Sequence, residues 1–127
     1  MRVYKKAVAY TRTIYELTAK FSKSEVLGLT SQLRRAAYSI VLNIAEGAGS
    51  GSTREFIGFL DIVQRSTFEV MAGLDIAKEI GFICMDDYRQ NQQEAIEISH
   101  AQRASAKPEE AAIGLRLNVQ RYYVNMR

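Results

Sequence analysis

From Phe56 onward, apolar or small residues return every three or four positions, through Leu60, Val63, Thr67, Val70, Leu74, Ala77 and Gly81, for about four heptads. At 1.5 Å per residue that is a rod roughly 40 Å long. A half-buried strand would alternate its apolar residues, so the rhythm predicts a helix running the length of a small domain. Ser52-Thr53-Arg54-Glu55 opens it in the form of a capping box, with a hydroxyl at the cap and a carboxylate three residues later. Beside the first stripe lies a second, made of Phe59, Ile62, Ser66, Glu69, Gly73, Ile76 and Ile80. Two stripes need two sets of neighbours. This is the pattern of a central helix in a bundle, with apolar width left over for contact between chains.

The rest of the chain supplies the neighbours. Val3, Ala7, Tyr10, Ile14, Leu17 and Phe21 form one helical seam; Lys23-Ser24-Glu25 and Gly28 interrupt it, and Leu29, Leu33, Ala36, Ile40, Asn43 and Gly47 repeat it. Gly47-Ala48-Gly49-Ser50-Gly51 is a loop. Asp86 and Asp87 suit the positive start of a fourth helix, with a weaker face at Tyr88, Ala95, Ile96 and Ile98. Ala106-Lys107-Pro108-Glu109-Glu110 marks a break and restart with proline in the first turn, leaving room for a short fifth helix over 109–126 that would use Leu115, Val119, Tyr122 and Met126. The expected fold is therefore all-α: an antiparallel up-down four-helix bundle over 1–105, followed by a basic tail over 106–127 that can form a short extra helix.

A chain of 127 residues, 47% apolar and 24% charged, matches one globular core and excludes a disordered one. No apolar run approaches the roughly 20 residues of a membrane span, and Met1-Arg2-Val3-Tyr4-Lys5-Lys6 leads into no signal-peptide core. Cys84 is the single cysteine, so a disulfide framework and a cysteine-based zinc cluster are excluded. The sequence points to a soluble, cytoplasmic protein with no membrane partner.

Charge is sorted along the chain. Residues 1–54 carry a net +6, residues 55–99 a net −6 and residues 100–127 a net +3. Such sorting permits head-to-tail association of copies, and equally a polyanion on one side; pairing within one bundle is the plain alternative.

The run Gly28-Leu29-Thr30-Ser31-Gln32-Leu33-Arg34-Arg35-Ala36-Ala37, continued by Ser39-Ile40-Val41-Leu42-Asn43-Ile44-Ala45-Glu46-Gly47, resembles the signature of four-helix-bundle proteins encoded within intervening sequences of large-subunit (23S) ribosomal RNA genes. The likeness extends through Arg54-Glu55-Phe56, Phe59-Leu60, Arg65-Ser66 and Glu69, and covers roughly residues 3–99. It implies a small antiparallel bundle assembling as a homopentameric barrel, related to accessory proteins of diversity-generating retroelements that bind nucleic acid and a reverse transcriptase. After Ser99 the likeness stops: His100-Ala101-Gln102-Arg103-Ala104-Ser105 is polar where an apolar helix would continue. No family function is carried onto the tail.

Candidate residues fall into two groups. Asn43, on a seam, would fix register through its amide, and Glu69, among apolar residues of the second stripe, needs a partner such as Arg34 or Arg35. Asp61, Arg65 and Glu69 also stand at i,i+4 spacing, the mark of an ordinary intrahelical ladder. Glu46 and Arg35 project from one side of the second helix, and Arg54 sits where a helix start would hold an anion. The glycine loop lacks both the preceding strand and the lysine of a phosphate loop. His100 is the lone histidine, and the carboxylates lack the Glu-x-x-His spacing of di-iron bundles, so no catalytic residue, metal or cofactor is expected.

The second group is basic: Arg2, Lys5, Lys6, Arg12, Lys20 and Lys23 along the first helix, with Arg34 and Arg35 on the second. Tyr4, Tyr10 and Tyr15 lie among them, as core residues or as stacking surfaces for bases. The expectation is a non-enzymatic, ring-like homo-oligomer whose basic surface binds RNA or DNA by charge and shape; the alternative is a structural or protein-interaction scaffold.

Overall fold

The computed structural model describes residues 2–102 and 107–125. Helices α1 (Val3–Thr18), α2 (Leu29–Ala48), α3 (Thr53–Glu79), α4 (Met85–Ala101) and α5 (Pro108–Asn125) account for nearly all of them, and no strand occurs among the described residues. The first four form the expected antiparallel bundle. Each boundary has a local cause. A 3-10 turn at Lys23–Glu25 ends the first connection, and the Glu25 carboxylate then accepts the Leu29 N–H at the start of α2 (3.1 Å). Ser52 Oγ accepts the Glu55 N–H at 3.1 Å, as the capping motif requires. Gly81, at φ 83°, closes α3: its N–H reaches Lys78 O and the Phe82 N–H reaches Ala77 O, the paired bonds of a Schellman end.

The α2–α3 seam is the closest packing in the molecule. A Cβ at Gly47 would lie 2.3 Å from a ring carbon of Phe56, and one at Gly73 2.6 Å from a methyl of Leu33. Between these glycines the two helices touch through Ser39 and Ser66, whose hydroxyls are 2.9 Å apart. The other interfaces are more polar. Helix α4 meets α3 through Gln64 with Ser99 and Gln102, and through Gln92 with the Met71 carbonyl. It meets α1 through Tyr10, whose hydroxyl donates to Asn91 O (3.0 Å).

Helix α5 is the extra C-terminal helix that the sequence led to expect over 109–126. It is 18 residues long, and it folds back on the end of the bundle where α1 begins, α2 ends and α3 starts. Ala112, Leu115 and Val119 join the one hydrophobic cluster of the protein. Asn118 Oδ1 accepts the Tyr4 N–H (3.2 Å), capping α1 from another helix where Arg2 offers no cap. Arg116 spans the α2–α3 loop, donating to Ser52 O (3.2 Å) above the Phe56 ring. Met126 and the 103–106 part of the expected break lie outside the described residues.

Candidate nucleic-acid interface

Helix α1 turns its apolar seam inward, so Arg2, Lys5 and Arg12 emerge together on its outer side, at spacings of three and seven. Helix α5 runs beside that side and adds Arg121. The result is a groove of about 660 Å³ lined by Arg2, Lys5, Arg12, Arg121, Asn118 and Tyr122 among others, with no carboxylate in its lining. Arg12 Nε also reaches Glu16 Oε1 at 2.9 Å, a fully surface pair. Arg2, Lys5 and Arg121 have no ion-pair partner among the described residues. Four cations thus line one groove, three of them without an ion-pair partner among the described residues, and such a lining sets up a positive potential that an anion relieves.

The other basic candidates are dispersed. Lys6 faces away from the groove and pairs with Glu97 of α4. Lys20 and Lys23 are exposed at the far end of α1, and Arg35 is exposed on α2. Arg34 is committed to structure: its Nε donates to Thr18 Oγ1 (2.8 Å), its Nη2 to Tyr15 O (3.2 Å), and its guanidinium lies 4.5 Å from the Tyr15 ring centre. A cation on the last carbonyls of α1 is well placed for the helix dipole.

Two structural expectations are corrected. Glu69 is exposed in the single chain, and Arg34 is already taken by α1, so no Glu69–Arg34 pair forms. The Asp61, Arg65, Glu69 ladder does not close either; none of the three is in an ion pair among the described residues. Asn43 is half-buried, and its amide donates within α2 to Ser39 O (2.8 Å) and Ser39 Oγ (3.0 Å), so the hydroxyl pair Ser39–Ser66 carries its polarity across the seam. Glu46 and Arg54 are exposed.

Of the tyrosines, Tyr4 and Tyr10 are core residues, which removes them as stacking surfaces. Burial is the main cause holding both phenols well above the usual tyrosine range; the neighbouring Tyr123 hydroxyl adds to it for Tyr4, and Glu94 for Tyr10. Tyr15 is 40% exposed but lies under Arg34. Sequence reasoning missed Arg121 and Tyr122. The net +3 of residues 100–127 was the available signal for Arg121, and nothing in the spacing told which helix it would meet.

Among the described residues, no group of three or more His, Cys, Asp or Glu could hold a metal ion, and no helix is long and apolar enough to cross a membrane. His100 is exposed in the last turn of α4.

Residues 1–103 match the family of the 23S rRNA-intervening sequence protein. A crystal structure from Bacteroides thetaiotaomicron, of a protein with unknown function from the S23 ribosomal protein family, is similar to this chain with a TM-score of 0.69. The two are 22% identical, over 76% of this chain and 91% of that one. At that identity the likeness is one of fold. No curated protein is significantly similar to the chain. The family match stops five residues before α5 begins, so the second wall of the basic groove comes from outside it.

Proposed function

This chain belongs to the family of 23S rRNA-intervening sequence proteins, and from that premise we propose that it is a non-enzymatic bundle that gathers into a ring-like homo-oligomer and binds RNA or DNA through basic surfaces. The observation that carries nucleic-acid binding is the carboxylate-free groove holding Arg2, Lys5 and Arg12 on one side of α1. Phosphate contacts of this kind release counterions, so affinity falls steeply with salt, and repetition around a ring turns weak contacts into avidity. The resemblance read from the sequence, which implies kinship with retroelement accessory proteins that bind nucleic acid, favours the same reading. The working compartment is then the cytoplasm, where the single cysteine, Cys84, stays a thiol.

Self-assembly rests on a different surface. Leu42 of α2 and Ile62, Ile76 and Ile80 of α3 are 40–52% exposed in the single chain, beside Arg35, Glu46, Arg65 and Glu69. Apolar residues set among charges of both signs suit an interface with copies of the same chain, and a pentamer is the count the family resemblance implies. Titrating RNA and DNA against salt tests the first part: binding at low ionic strength that declines on a log–log line is expected, and no binding to either leaves a scaffold built on the apolar face. Light scattering tests the second. Leu42→Glu with Ile76→Glu should reduce the mass to that of one chain, and an unchanged mass would remove this face from the assembly.

A further inference from the structure

Resting on the nucleic-acid reading above, we propose that the groove between α1 and α5 is the binding site, and that its ligand is a short single-stranded stretch held by its phosphates. Both walls are needed. Arg2, Lys5 and Arg12 come from the family-like helix, whereas Arg121 comes from α5, beyond residue 103. The bundle without α5 has a basic helix face; with α5 it has a cleft.

Three observations set the ligand class. The cations stand along ten residues of α1, about 15 Å, which is the reach of roughly four phosphates at a stacked rise of about 3.4 Å. A concave groove of about 660 Å³ with cations on both walls follows the flexible backbone of one strand, whereas a stiff duplex meets it with one backbone only. The walls are also fixed rather than adaptable. Asn118 caps α1, the Tyr4 and Tyr123 hydroxyls are 2.8 Å apart, and Tyr122 meets Tyr4 edge to face with ring centres 5.0 Å apart, so α5 is bolted to the start of α1 at the groove itself.

The neighbouring groove on the other flank of α1 supplies the contrast. It has about 480 Å³ between α1 and α4, and Glu94 and Glu97 stand in its lining with Lys6. A phosphate chain is repelled there and drawn to the α5 side, so the preference is built into one helix by its two neighbours.

The test uses the full chain and fluorescence anisotropy with a labelled 12-nucleotide oligouridylate and an RNA duplex of equal length. The single strand is expected to bind more tightly than the duplex at the same salt. Lys5→Ala with Arg121→Ala, both exposed, should weaken the single strand about tenfold and lower the salt slope by about 0.7 per lost contact. Lys20→Ala with Lys23→Ala removes the same charge away from the groove and should weaken it at least three times less. Circular dichroism of both variants must match the parent, and Arg121→Lys should keep most of the affinity. If the two double variants lose equally, or duplex binds as well as single strand, the groove is not the site although the protein still binds nucleic acid. If the parent binds neither probe, the broader reading falls with it.

Discussion

Helices α2 and α3 meet closely through glycine and serine, with a rigid obstacle to another carbon at Gly47, while α1 leaves an open groove on each flank, one cationic and one carrying carboxylates. The seam meets through serine hydroxyls at its centre, whereas both grooves have charged side chains in their lining. Close approach gives the bundle a unique register, because a helix that packs on glycine cannot slide without losing the fit. The outward side chains of the open flanks, Arg2, Lys5, Arg12 and Arg121, are exposed, and for that reason they are free to carry charge. Where the two regions differ, the seam specifies the fold and α1 specifies what the fold can attract.

The largest effect should come from filling the seam. Gly47→Val places carbon against the fully buried Phe56 ring and within 2.9 Å of Phe59 Cβ, an atom fixed to the α3 backbone, so a loss of about 3 kcal/mol and a fall in Tm of about 10 °C are expected. Gly73→Ala sharpens the point. Its obstacle is the end of the Leu33 side chain, which can turn aside, and alanine favours the helix by about 1 kcal/mol, so a net change within about 1 kcal/mol is expected by thermal melting. Equal losses at the two glycines would mean that packing against Phe56 is not what makes this seam special.

Alkaline titration probes the α1 side of the core. The unfolded Tyr10 phenol ionises near pH 10 and the folded one only above that, so the unfolded chain sheds its proton first. Stability is complete below pH 10 and falls as pH rises past it, by about 1.4 kcal/mol per pH unit for Tyr10, with Tyr4 acting in the same direction. Tyr10→Phe should flatten that slope in denaturant melts between pH 9.5 and 11; an unchanged slope would place its origin elsewhere.

The seams of α1, α2 and α3 were legible because three-four spacing is what a helix buried on one side must show. Tyr4, Thr18, Thr30, Ala37 and Ile44 are buried as well, on flanks that a single stripe does not describe, since a helix with two neighbours hides more than one stripe. The inward face of α5 was legible, since Leu115, Val119 and Tyr122 at helical spacing are residues it turns to the core, but the place where it docks was not. Ile113, Leu117, Tyr123 and Val124 stay exposed on the same helix, so its pattern did not tell which end of the bundle it would cover. The basic residues of the first two helices could be counted from the sequence, yet the split between Lys6, held by Glu97, Arg34, held by Thr18, and Arg2 and Lys5, without an ion-pair partner among the described residues, depends on contacts across elements.

Asn118 ties the open flank to the bundle. Asn118→Ala removes the acceptor for the Tyr4 N–H, as loss of a helix cap does, and should cost about 1 kcal/mol, read as a fall in Tm of a few degrees with helix content unchanged. Because the same helix carries Arg121, the variant should also loosen the single-strand affinity without altering the number of phosphate contacts, leaving the salt slope in place. A slope that fell with the affinity would show that α5 had left the groove.

Arg12 should give the smallest change in stability and the cleanest separation of the two regions. Its pair with Glu16 is exposed on both sides, 84% and 65%, and such i,i+4 pairs contribute tenths of a kcal/mol at most. Arg12→Ala is therefore expected to leave the melting midpoint within experimental error while lowering the salt slope for single-stranded RNA by about 0.7. Glu16→Gln frees the guanidinium from its carboxylate partner and should act in the opposite direction on binding, again with no change in melting. If Arg12→Ala destabilised the bundle as Gly47→Val does, the division between a seam that folds the chain and a flank that serves its ligand would not hold.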